Sequence, residues 1–169
     1  MTHGSKAGPL TRPTRIDRLR KDGSEVLVEA TPQECEALAA EFKIPAIRDL
    51  VGRFNVSGPS SRLIVTGTVS ATVTQVCTVS LDPFESEVSE PVEVVFTDTD
   101  ILVGTDAEDA DIPDPIIGNR IDFGTLAAEF LALGLDPYPR KPWIAFTPVT
   151  DEDEAGPLGG LRSLRDREP

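Results

Sequence analysis

The chain has 169 residues and carries 29 acidic against 16 basic side chains, a net charge of −13. With 39% hydrophobic residues it has the means for one domain with a real core, and it is not a wholly disordered acidic chain. The acidity argues against coating nucleic acid or an anionic membrane, but residues 1–62 hold 10 bases and 8 acids, whereas residues 63–169 hold 6 bases and 21 acids. Cys35 and Cys77 are too few for a disulfide framework. The start of the chain lacks the apolar centre of a secretory signal. The uncharged stretch Leu63–Leu81 alternates threonine and serine with apolar residues, which favours a strand over a membrane helix. A soluble cytoplasmic protein with reduced thiols and no membrane contact is expected.

In chain order, Gly4, Gly8, Pro9 and Pro13 predict a flexible start, with residues 1–9 a tail and irregular chain reaching residue 14. A basic stretch follows, in which Arg12, Arg15, Arg18, Arg20 and Lys21 surround Ile16 and Leu19. Val26 and Val28 mark a short strand after the Asp22-Gly23 turn. Thr31 caps a helix, with Pro32 in its first turn and Glu34 completing a capping box. Ala37, Leu38 and Phe42 provide its apolar side, and Pro45 requires it to end earlier. Cys35, between Glu34 and Glu36, reads as a structural cysteine rather than a reactive one.

Residues 47–51 are expected as a strand or connector, 54–56 as another short strand and 58–61 as a turn. Leu63, Val65, Gly67, Val69, Ala71 and Val73 then share one face of a long antiparallel strand, with Gly67 a candidate bulge or bend. Asp82-Pro83 turns the chain into a returning strand with Val88, Val92, Val94 and Phe96 inward and Pro91 near an edge. Residues 98–114 contain seven acids and no base and read as a solvated loop. Asp122 caps a second helix over about 123–133, in which Phe123, Leu126, Phe130 and Leu133 recur at helical spacing and Glu129 faces outward. The proline-rich run 136–143 suits neither regular structure, and residues 150–169 read as a disordered charged tail.

Catalytic chemistry lacks its parts. His3 is the only histidine, in the expected flexible tail, so a serine-histidine-acid triad has no fixed base. No phosphate-binding glycine loop or dinucleotide fingerprint is present. Asp98, Asp100, Asp106, Glu108, Asp109, Asp111 and Asp114 supply hard oxygen donors without the ordered spacing of a calcium loop. They form a candidate acidic surface for a basic partner, and charge pairing there serves association rate and selectivity. Arg12, Arg15, Arg18, Arg20 and Lys21 are candidate phosphate or protein contacts, against the alternative of an edge strand balanced by nearby acids. Tyr138, Arg140, Lys141 and Trp143 are a second candidate patch able to stack unpaired RNA bases. The competing and favoured reading has both rings lock the C-terminal tail across the second helix.

In order along the chain, Leu10-Thr-Arg-Pro, Ile16-Asp17 to Leu19, Glu29-Ala30-Thr31-Pro32 and Ile44-Pro45-Ala46-Ile47 precede a central run, Gly67-Thr-Val-Ser-Ala71-Thr-Val-Thr-Gln75-Val-Cys77-Thr-Val-Ser-Leu81-Asp-Pro-Phe84. Asp114-Pro115-Ile116, Ile121-Asp122-Phe-Gly124, Ala128-Glu129 and Leu135-Asp-Pro-Tyr138-Pro-Arg-Lys-Pro142 follow. Together these motifs resemble the YceD family of large ribosomal RNA accumulation proteins, in the form found in alphaproteobacteria, over residues 10–146. The resemblance implies a role in synthesis, processing or stability of large-subunit (23S) ribosomal RNA and carries over no catalytic residue. Many relatives have a Cys-x-x-Cys pair at the central motif. Here Cys77 matches the first cysteine and Ser80 stands in place of the second, so a metal role is not supported.

These readings converge on an α+β protein whose domain spans residues 10–149, with a mainly antiparallel sheet, two principal helices and flexible termini. It is expected to be non-catalytic and free of cofactors. Its expected partner is a ribosomal protein or large-subunit assembly factor, with direct contact to 23S ribosomal RNA kept open by the basic residues. The alternatives are a metal-dependent enzyme built on the acidic cluster and a regulatory protein-binding module unrelated to ribosomes.

Overall fold

The computed structural model describes residues 8–98 and 113–144. In chain order these form β1 (Pro13–Arg15), β2 (Ser24–Glu29), α1 (Pro32–Phe42), β3 (Ala46–Ser57), β4 (Leu63–Val76), β5 (Pro83–Thr97), β6 (Asp114–Pro115), β7 (Arg120–Asp122) and α2 (Phe123–Gly134). Short 3-10 turns occupy Ile16–Arg18 and Ser60–Arg62. The main sheet has the order β2-β3-β4-β5-β6, antiparallel except for the short β5–β6 pair, and β1 and β7 make a separate antiparallel pair. The architecture is α+β with two main helices and a largely antiparallel sheet, as the patterning predicts.

The alternation in β4 does what period-two burial requires. Leu63, Val65, Val69, Ala71 and Val73 are buried, while Thr66, Thr68 and Ser70 face solvent. Both helices lie on the buried side, α1 mostly against β3 and α2 against β5 and β4. Phe54 of β3 meets Phe123 of α2 with ring centroids 5.4 Å apart and planes tilted by 40°, a favourable offset geometry for two aromatic rings.

The α1 capping box forms in full: the Glu34 N–H donates to Thr31 Oγ1, and the Thr31 N–H donates to Glu34 Oε2 at 2.8 Å. Lys43, at φ 57°, closes the helix before Pro45. Its buried side is Cys35, Leu38 and Ala39, whereas Ala37 is exposed. In α2 the Asp122 carboxylate accepts from the N–H groups of Gly124 and Thr125. The buried face runs through Phe123, Leu126, Ala127 and Leu131. Leu133 falls on the opposite side and is 75% exposed, which corrects the face expected from spacing.

Three further expectations are revised. The start of the domain is ordered before residue 14: Leu10 is fully buried, the Arg12 N–H donates to Asp122 Oδ1 at 2.7 Å, and β1 pairs with β7. The two short strands expected over 47–56 are one long strand, β3, with a register shift between Arg48 and Val51. Asp49 adopts φ 53° there, a conformation that aspartate tolerates better than most residues. Gly67 lies in unbroken register rather than at a bulge. A Cβ at Gly67 would sit 2.0 Å from the Arg53 carbonyl oxygen, so its lack of a side chain serves close strand approach.

Candidate functional site

The two candidate contact surfaces occupy opposite ends of β4. At the Leu63 end, the N-terminal segment is laid down by Leu10, Ile16 and the β1–β7 pair. Arg12 is set apart from its basic neighbours by its bonding. Its guanidinium donates to both carboxylate oxygens of Glu34 at 2.8 and 2.9 Å and also reaches the carbonyls of Thr11 and Glu29. Arg15 donates twice to Asp17, at 3.0 and 2.6 Å. Arg18, Arg20 and Lys21 are exposed and make no ion pair among the described residues.

Beside these cations is a crevice of about 280 Å³, with Ile16, Leu19 and Leu63 as apolar walls and Arg20, Lys21, Ser60 and Asn119 as polar lining. The Ile16 N–H donates to the Asn119 carbonyl at 3.1 Å, and the Gly58 N–H donates to the Lys21 carbonyl at 3.3 Å. These bonds hold together three chain segments that are remote in sequence. The sequence singled out the cations but not Ser60 or Asn119, because no local pattern brings positions 60 and 119 beside 16–21.

At the Val76 end, the β4–β5 connection is held by the Cys77 N–H donating to Asp82 and the Leu81 N–H donating to Cys77. The segment 136–144 is fastened over it by backbone and by Gln75. The Thr78 N–H donates to the Pro139 carbonyl at 2.9 Å, Gln75 Nε2 donates to the Asp136 carbonyl at 3.0 Å, and the Lys141 N–H donates to Cys77 Sγ at 3.4 Å. The Lys141 ammonium lies 3.9 Å from Asp82, and Arg140 is exposed. Tyr138 is 74% exposed and Trp143 entirely so. Main-chain bonds hold this segment and both rings are exposed, while the chain after residue 144 that they are expected to lock lies outside the described residues.

The two cysteines differ in kind. Burial pushes the Cys35 thiol up, consistent with a packing role. Cys77 is fully buried, and backbone N–H groups of Lys141 and then Ser80 bring its thiol down to about 6. Among the described residues no group of three or more histidine, cysteine or acidic side chains is arranged to hold a metal.

Of the acidic candidates, Asp98 is exposed and donates its N–H to the Ser60 carbonyl at 3.0 Å. Asp114 stands in β6 opposite Phe96, so that end of the expected loop is a strand. Asp100, Asp106, Glu108, Asp109 and Asp111 lie outside the described residues. Burial, with a smaller contribution from Asp114, raises the Glu129 carboxyl. No helix among the described residues is long and apolar enough to cross a membrane.

A family model described as "Large ribosomal RNA subunit accumulation protein YceD" matches residues 65–159, a little over half of the chain. No curated protein and no solved structure gives a match.

Proposed function

The chain belongs to the YceD family of large ribosomal RNA subunit accumulation proteins, and from that premise we propose that it is a non-catalytic factor supporting synthesis, processing or stability of 23S ribosomal RNA. The family match is the observation that carries this reading. In it the chain works in the bacterial cytoplasm, in the alphaproteobacterial setting its motifs resemble, and acts by contact rather than by chemistry. The principal contact is with a ribosomal or assembly protein. Tyr138 and Trp143, exposed on the same segment as Arg140, have the aromatic and cationic character enriched where proteins meet. The acids from Asp98 to Asp114 add selectivity for a basic partner. Depletion of the protein is expected to lower large-subunit RNA relative to small-subunit RNA and to reduce large subunits in ribosome profiles. Unchanged RNA levels and unchanged profiles would refute the role.

A further inference from the structure

We propose that the crevice between Ile16–Lys21 and the β3–β4 turn binds the phosphodiester backbone of single-stranded RNA. This rests on the ribosomal reading above and gives it a direct RNA contact. The first support is uncompensated charge. Arg20 and Lys21 line the crevice, Arg18 is adjacent in the chain, and none of the three makes a close salt bridge among the described residues, Arg18 acting on Asp17 only at longer range. Arg15 and Arg120 stand directly opposite each other in the β1–β7 pair, a like-charge arrangement that Asp17 offsets on the Arg15 side. The one carboxylate in the lining, Asp17, is already engaged by two hydrogen bonds from Arg15. With Arg15 paired to Asp17, the cations Arg18, Arg20, Lys21 and Arg120 outnumber the acids that chain position, bonding and strand pairing place beside them among the described residues, namely Asp22 next to Lys21, Asp98 bonded to Ser60 and Asp114 paired with Phe96.

Size and polarity narrow the ligand. At about 280 Å³ the crevice lies at the lower limit of volumes usual for small-molecule pockets. It suits one sugar-phosphate unit, with the sugar against Ile16, Leu19 and Leu63 and the phosphate at the basic rim. Ser60 and Asn119 add side-chain hydrogen-bonding groups. Its walls are tied to one another by the bonds from Ile16 to Asn119, from Gly58 to Lys21 and from Gly23 to Arg20, so little ordering is required on binding. Contacts of this kind position a strand without reading its sequence.

Fluorescence anisotropy of the full chain with a labelled mixed-sequence RNA of roughly 12 nucleotides, within the usual site sizes for single strands, tests the site. The pair Arg20→Glu and Lys21→Glu is expected to weaken binding about tenfold and to flatten the log-log salt slope by about 1.4, the amount for two lost phosphate contacts. Ser60→Phe, which fills the crevice and leaves the charge unchanged, is expected to weaken binding too. The pair Lys43→Glu and Arg53→Glu, equal in net charge change but remote from the crevice, is expected to leave affinity within about twofold. No binding by the wild-type chain, equal loss in the remote pair, or tighter binding of an acidic peptide than of RNA at the crevice would each overturn the proposal. Those outcomes leave the depletion result standing, whereas normal large-subunit RNA on depletion removes the ribosomal role and leaves the binding measurement intact.

Discussion

Glu34 occupies the third position of α1, where its carboxylate takes a hydrogen bond from the Thr31 N–H and two from Arg12. Those donors, Arg12 foremost, lower its pKa from an ordinary 4.5 to about 2. A lowered carboxyl pKa stabilises the fold when ionised, so this contribution is complete above about pH 4.5 and lost as pH falls through about 2. Glu34→Gln is expected to remove that acid-dependent component and to cost about 1 kcal/mol at neutral pH, the scale of a capping interaction plus a partly exposed ion pair. Denaturant titrations at several pH values check both. Cys77 obeys the same sign at higher pH. Its thiol is lowered from 9.0 to about 6 by the N–H groups of Lys141 and Ser80, so ionisation adds stability as pH rises from about 6 and the gain is complete near 9. The stability advantage of the wild type over Cys77→Ser is expected to grow across that interval, and equal pH dependence in the two proteins would contradict the assignment.

Among the elements, β4 depends most on one small residue. A methyl group at Gly67 would fall 2.0 Å from the Arg53 carbonyl and 3.0 Å from the Phe54 Cα, and both obstacles are backbone. Gly67→Ala is expected to destabilise by about 3 kcal/mol in urea denaturation, at the upper end of overpacking costs, whereas Thr68→Ala on the exposed face should change stability by less than about 0.5 kcal/mol. The strand itself was legible in the sequence because alternation is a local signal, as was the Thr31–Glu34 capping box, whose partners are three residues apart. The continuity of β3 was not, because the shift after Arg48 breaks the alternation that identifies a strand, and only pairing with β4 restores it. The order around Leu10 was equally hidden, since the bonds that fix Arg12 beside it come from Asp122 and Phe123, more than a hundred residues away. Leu133 shows the converse error: spacing along α2 suited the core, but the axis of the helix over the sheet turns that position to solvent. The candidate site divides in the same way. Its charged and aromatic residues stand out by composition, but the crevice needs segments near 16, 60 and 119 to converge.

At the scale of the whole molecule, the two ends are separated by the length of β4. Fourteen residues of strand at about 3.3 Å each put the basic crevice roughly 45 Å from the aromatic segment. The net value of −13 conceals a split along the sequence, because it averages a slightly basic first 62 residues with a strongly acidic remainder. The separation makes the ends independent in experiment, since substitutions that far apart without shared partners act additively. Trp143 is entirely exposed and Tyr138 nearly three-quarters so, and the segment bearing them is fastened by the main chain at Thr78, Pro139 and Lys141 rather than by the rings. Tyr138→Ala with Trp143→Ala is therefore expected to alter unfolding free energy by less than about 0.5 kcal/mol and to leave RNA affinity at the basic crevice unchanged. Crosslinking and pull-down from cells should nevertheless recover much less ribosomal or assembly protein with this variant, because exposed aromatic anchors contribute disproportionately to protein contacts. Recovery equal to wild type would move the protein contact away from this end of the sheet, and a large loss of stability would show that the rings pack in solution.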